Sequence, residues 1–148
     1  EHLSFITTHV IQFCESEYGF ASSAEKRVIG GYSLGGLFSL YAAVNTDLFG
    51  TVLSCSSSLW YPGFLDYLKE HPFKATHPKL YMSVGDLEGT TATNLTADQT
   101  QNTLALKDWI EPRFQAGDFQ FTLEEGNHGT NISRRVERAV EWVEENSK

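Results

Sequence analysis

Apolar positions along this chain alternate between a helical and an extended period. From Glu1 to Tyr18, Leu3, Ile6, Val10, Phe13 and Cys14 recur at helical spacing, which predicts one apolar helix face. No capping residue opens this helix, as if the chain were cut inside or just before it, and Gly19 reads as its stop signal. Arg27-Val28-Ile29-Gly30-Gly31 reads as a short buried strand. Leu37, Leu40, Tyr41 and Val44 then sit at i, i+3, i+4 and i+7, the face of a second helix. Thr51-Val52-Leu53-Ser54-Cys55 is the next strand, running into Ser56-Ser57-Ser58. Pro62 suits the first turn of a short helix that carries Phe64, Leu65 and Leu68.

The same alternation continues to the end. Leu80-Tyr81-Met82-Ser83-Val84 predicts a third strand, stopped by Gly85, with a Thr-rich loop from Gly89 to about Thr96. Thr96 and Gln99 have capping-box spacing and open a helix whose buried face uses Leu106, Trp109, Ile110 and Phe114. Pro112 should kink or shorten it. Phe119, Phe121 and Leu123 alternate along a fourth strand, and Ile132, Val136, Ala139, Val140 and Val143 mark an amphipathic terminal helix. Strands alternating with helices imply an α/β fold, a parallel sheet covered on both faces.

Composition narrows the function. A 148-residue chain that is 41% hydrophobic and 13% aromatic can pack one core, and no repeat or long linker divides it. Nineteen acidic against eleven basic residues give a net charge of -8, which disfavours nucleic acid as a partner. The longest mainly apolar run, Leu34 to Val44, is well short of the roughly 20 residues that span a bilayer, so no membrane association is expected. No basic segment followed by an apolar stretch opens the chain as a secretory signal would. Cys14 and Cys55 are far apart and outside any CxxC, so a disulfide or metal cluster is not expected. A cytoplasmic location with reduced thiols is the default. Asn94-Leu95-Thr96 and Asn131-Ile132-Ser133 match the glycosylation sequon, and without a secretory signal both are read as chance.

The sharpest motif is Gly31-Tyr32-Ser33-Leu34-Gly35-Gly36, a G-x-S-x-G between a predicted strand and a predicted helix. A serine hydroxyl becomes a useful nucleophile when it is exposed, near a base and close to oxyanion donors. A tight strand-to-helix turn gives the exposure, and flanking glycines let two backbones approach. Leu34 then places its N–H at a helix N-terminus, facing a developing oxyanion. The alternative reading is a Gly-rich turn that binds phosphate or merely packs.

Five histidines could serve as the base. His2 and His9 lie on the first helix, and His71 and His77 bracket Pro72 in a polar connection. His128 follows the last strand in Glu124-Glu125-Gly126-Asn127-His128-Gly129, at the strand edge where open α/β sheets place their sites. The acid that orients an imidazole should lie in Val84-Gly85-Asp86-Leu87-Glu88-Gly89. Many serine hydrolases carry it three residues past such a glycine, which selects Glu88 and leaves Asp86 in reserve. The order Ser33, Glu88, His128 is that of α/β-hydrolases. Cys55, inside a predicted buried strand, is a packing residue rather than a nucleophile.

Taken together, these segments resemble the Putative esterase (esterase D-like) family of α/β-hydrolases, nearest to siderophore esterases that cut enterobactin-type trilactones. The resemblance rests on GYSLGGLFSLY, on Asp47-Leu48-Phe49-Gly50, on Ser58-Leu59-Trp60-Tyr61, on Val84 to Glu88 and on Gly126-Asn127-His128-Gly129. It implies Ser33 as nucleophile, His128 as base and Trp60 lining an acyl or aryl pocket, with Tyr32 counted beside it as substrate-binding. Tyr32 stands where a histidine often precedes the serine. Some siderophore esterases have a weak or absent acid, which leaves a Ser33–His128 dyad open.

The chain looks like the C-terminal half of such a fold, four parallel strands with helices on both faces, so residues 1–148 are read as one partial domain. Family members carry a further N-terminal half, including a loop that gives the second oxyanion donor. A shortened product, or a protein completed by another chain, is the expectation, with self-association through the nucleophile strand. The function implied is a serine carboxylic-ester hydrolase that needs no cofactor and acts on a small-molecule ester of siderophore or aryl type. Its rival is a catalytically silent or incomplete hydrolase fragment that binds without turnover.

Overall fold

The computed structural model describes residues 1–20, 23–90 and 95–147. One parallel sheet of four strands has the order β1-β2-β3-β4, with β1 Val28–Tyr32, β2 Thr51–Cys55, β3 Lys79–Gly85 and β4 Phe119–Glu124. Ile29 lies opposite Val52, Val52 opposite Leu80, and Met82 opposite Phe121. β2 is buried along its whole length and β3 in all but its first residue, so the two central strands read as continuous apolar runs.

Because side chains alternate across a strand, the sheet divides its residues between two cores. On one face Ile29, Val52, Leu80 and Met82 pack with Leu40, Val44, Leu68, Leu106 and Ile110. Those partners come from α3 Leu34–Asn45, α4 Phe64–Glu70 and α5 Gln99–Ile110. Leu40, Leu80, Met82 and Leu106 are fully buried, each contributing about 1.5–3 kcal/mol by leaving water. On the other face Leu53, Cys55 and Tyr81 pack against Ala139 and Trp142 of α6 Ile132–Asn146. The fold is therefore the expected α/β sheet with helices on both faces. No helix among the described residues is long and apolar enough to cross a membrane.

Three local expectations change. The first helical stretch runs as α1 His2–Phe5, a π-helical turn Ile6–Val10 and α2 Ile11–Tyr18, ending at Gly19 with φ +64°. The wider π turn shifts the helical phase, so Ile11 packs on the core while Val10 and Phe13 stay exposed. The capping box at α5 does not form. That helix leaves a 3₁₀ turn at Leu95–Asp98 with Asp98 as N-cap, and the Gln99 amide donates instead to the Ser57 carbonyl. Pro112 shortens α5 as expected: a 3₁₀ turn at Glu111–Arg113 follows directly. Phe114 lies beyond it, packed on Phe73 and Phe119.

The largest correction concerns α6. Ala139 is buried and Val143 packs beside it as expected, but they share the inner face with Arg135 and Trp142, whereas Ile132, Val136 and Val140 are exposed. The inward face combines the Ala139 and Trp142 contacts to the sheet with hydrogen bonds for Arg135 inside the molecule. The middle of the Thr-rich loop, with Asn94 of the first sequon, lies outside the described residues. Asn131 of the second is the N-cap of α6, at φ +50°.

Candidate active site

The C-terminal ends of the four strands carry the residues that the motifs single out. β1 ends at Tyr32, and α3 begins at Leu34, so Ser33 alone makes the turn between them. Its backbone is held at φ +58° and ψ -119°, outside the regions open to most L-residues and costing on the order of 1–3 kcal/mol. Three hydrogen bonds hold that conformation: the Ser33 N–H donates to the Cys55 carbonyl, and its own carbonyl accepts from Leu37 and Ser58. The glycines explain how the turn closes. A Cβ on Gly31 would lie 2.3 Å from the Gly35 carbonyl carbon, and one on Gly36 would lie 2.1 Å from Ser57 Oγ.

His128 is delivered by the loop after β4. Its Nε2 lies 3.0 Å from Ser33 Oγ, and its Nδ1 lies 2.8 Å from Glu88 Oε2. The three residues, 95 and 40 positions apart in the chain, form one hydrogen-bonded line. Ser33 Oγ also lies 3.3 Å from Ser58 Oγ. Leu34 is the first residue of α3, so its N–H has no carbonyl one turn back to bond and stays available at the helix N-terminus.

Glu88 is 2% exposed, and a carboxylate at that depth needs partners for both oxygens. Oε2 meets His128, while Oε1 accepts from the Gly85 N–H at 2.7 Å, Ser56 Oγ at 2.7 Å and Arg135 Nη1 at 2.9 Å. Asp86, the reserve acid, is used elsewhere: its Oδ1 accepts from the Gly126 N–H at 2.8 Å and steadies the histidine loop.

The other expected residues fall on two sides of His128. Trp60 lines a cavity of about 250 Å³ together with Ser33, Glu88, Gly89, Thr96, Gln99 and His128. The Tyr32 hydroxyl donates to the His128 carbonyl at 2.6 Å, and the two rings lie 5.2 Å apart. That hydroxyl is committed to the histidine loop. Cys55, at the end of β2, has its thiol pushed up to about 11, chiefly by burial. It stays a thiol at neutral pH, in keeping with a packing role. No group of three or more histidine, cysteine, aspartate or glutamate residues among the described residues could hold a metal ion.

Sequence reasoning missed Arg135, Ser56 and Gln99. Arg135 reads as one of a pair of surface charges with Arg134, and only the Arg135-Ala139-Trp142 spacing hints at a buried face. Ser56 sits in a serine run whose burial depends on a positive φ of 44°, invisible in composition.

Comparison with known proteins supplies the lineage. The sequence matches the family described as "Putative esterase" over residues 1–129. The chain belongs to that family. It is 25% identical over 146 residues to YbbA of Bacillus subtilis, an alignment covering 96% of this chain and 58% of that protein. Among solved structures, it resembles the enterobactin esterase FES of Shigella flexneri, solved in the presence of enterobactin. The TM-score there is 0.77 at 21% identity, with 95% of this chain and 36% of that one covered. An IroE-like serine hydrolase of Shewanella oneidensis aligns with TM-score 0.75 at 20% identity, covering 93% of this chain and 45% of that one. These likenesses show a shared α/β-hydrolase fold. The chain spans only about a third to three-fifths of the length of these family relatives.

Proposed function

We propose that this chain carries the nucleophile, base and acid of a serine carboxylic-ester hydrolase acting through an acyl-serine intermediate. The observation that carries the reading is the line Ser33 Oγ, His128 Nε2 at 3.0 Å, and His128 Nδ1 to Glu88 Oε2 at 2.8 Å. As the Ser33 oxygen attacks an ester carbonyl, His128 takes its proton at Nε2. The imidazolium is then stabilised through Nδ1–H by the Glu88 carboxylate. The Leu34 N–H donates to the oxyanion of the tetrahedral intermediate. His128 passes the proton to the departing alkoxide, then activates water to release the acid and restore Ser33.

The substrate is a small-molecule ester of siderophore or aryl type. Two observations support that class: Trp60 offers an aromatic wall to the cavity beside Ser33, and the fold is similar to that of an enterobactin esterase. The rival is a silent fragment, favoured by the part-length match to relatives. Hydrolysis of a p-nitrophenyl ester by the wild type and by Ser33→Ala tests the reading. Turnover should vanish in Ser33→Ala while the circular dichroism spectrum and thermal midpoint stay close to wild type. Equal hydrolysis by the two proteins would remove Ser33 from the mechanism.

A further inference from the structure

Arg135 lies on α6, on the opposite side of Glu88 from His128, and no step of the proposed reaction uses it. Its side chain is 1% exposed, as is that of Glu88. Burying a guanidinium is costly unless its donors are met, and here Nη1 and Nη2 find acceptors from four separate segments while Nε–H has no partner among the described residues. Nη1 donates to Glu88 Oε1 at 2.9 Å, to Ser56 Oγ at 3.2 Å and to the Tyr32 hydroxyl at 3.2 Å. Nη2 donates to the carbonyls of Glu125 and Asn127, both at 3.1 Å. Those carbonyls belong to the loop that ends in His128, and Tyr32 in turn donates to the His128 carbonyl. The planar fork thus touches the end of β1, the turn after β2, the acid's loop after β3 and the histidine loop after β4.

The contacts have a direction. Loop carbonyls, Ser56 and Tyr32 fix where the guanidinium sits, and the guanidinium joins the Gly85 N–H and Ser56 in holding one oxygen of Glu88. The other oxygen is left facing Nδ1 of His128. A lysine could not reproduce the arrangement, because a single ammonium lacks the two Nη groups, one meeting the carboxylate and the other the two loop carbonyls.

We infer that Arg135 is the positioning residue of this triad, holding Glu88 turned toward His128. The inference rests on the proposed triad and assigns its fourth member. It also explains why α6 turns Arg135 inward and leaves Ile132, Val136 and Val140 outside.

The test is a cycle of the wild type, Glu88→Gln, Arg135→Met and the double variant. Each is measured by the rate at which a fluorophosphonate inactivates Ser33, resolved into kinact and KI, and by thermal unfolding. Arg135→Met should lower kinact by about a hundredfold with KI unchanged, the penalty of a misplaced catalytic group. In the Glu88→Gln background the same change should cost less than about fivefold, because an arginine that acts through the acid has little left to position. Equal losses in both backgrounds would mean general structural support and would overturn the inference. If Arg135→Met does not fold, Glu88→Gln against the double variant decides alone, since the double variant leaves no unpaired buried carboxylate. A loss above fivefold there overturns the inference. Arg135→Lys keeps the buried charge balanced, and wild-type kinact in that variant would also overturn it. A labelled wild type with an unaffected Arg135→Met removes only Arg135, whereas a wild type that never labels at Ser33 removes the triad and the inference together.

Discussion

Glu88 and Asp86 stand two positions apart on one loop, yet the structure gives them different tasks. Glu88 is buried against His128, Ser56, Gly85 and Arg135, while Asp86 holds the Gly126 N–H. Glu88→Gln should therefore lower the reaction rate of Ser33 by about four orders of magnitude, since an amide cannot stabilise an imidazolium as a carboxylate does. Asp86→Asn should cost far less, because an amide oxygen can still accept from Gly126. Fluorophosphonate labelling rates of the two variants check the ranking, and the reverse order would transfer the acid's role to Asp86. Cys55 supports a second prediction at this scale. Its thiol is raised from 9.0 to about 11 in the folded protein, mainly by burial. Between those values the unfolded chain has lost the proton that the folded chain keeps, so stability falls as pH rises from 9 to 11. The loss should approach about 3 kcal/mol, two units at 1.36 kcal/mol each. Cys55→Ala should flatten that part of a stability–pH curve measured by urea unfolding; an unchanged slope would place its cause in other groups. Ser33, Glu88 and His128 were legible in the sequence because each sits at a fixed offset from a glycine or a strand end. Arg135 was not, because a buried charge is recognised by its partners, and these are scattered from Tyr32 to Asn127.

Among the elements, the strand–turn–helix from Val28 to Asn45 does the most to place the chemistry. Its glycines are not equivalent. Gly31 has no room for a methyl group beside the Gly35 backbone, whereas a Cβ on Gly35 meets nothing within 4 Å. Gly31→Ala should open the turn and abolish labelling of Ser33. Gly35→Ala should leave labelling intact and stabilise α3 by roughly 0.5–1 kcal/mol, the usual gain over glycine inside a helix. Labelling and thermal midpoints of the two variants test the pair, and a tolerated Gly31→Ala would contradict the packing argument. The strands were readable because they are short runs bounded by turn residues, and Thr51–Cys55 begins and ends where the pattern places it. The helix faces were less so. A π turn shifts the phase of the first helical stretch, and α6 offers two apolar stripes whose choice depends on tertiary partners.

At the scale of the molecule, β1 is an edge strand, with no strand beside one row of its backbone groups among the described residues. The proposed nucleophile therefore stands at a sheet edge. Phe5, Phe13, Tyr18 and Phe20 are exposed as well, as are Val136 and Val140 on α6. Open edges and apolar surface favour pairing between chains. The 148-residue chain alone should sediment as a concentration-dependent mixture heavier than a monomer, and a monodisperse monomer across the range would contradict this.

Covalent labelling needs the hydroxyl to react only once with a strong electrophile, and that makes it the most direct measurement of all. The folded chain is incubated with a fluorophosphonate, digested, and mapped by mass spectrometry. The triad geometry predicts a single adduct on Ser33, lost in Ser33→Ala and in the heat-unfolded chain. An unlabelled chain, or an adduct on any other serine, would contradict the claim that Ser33, His128 and Glu88 form a working nucleophile.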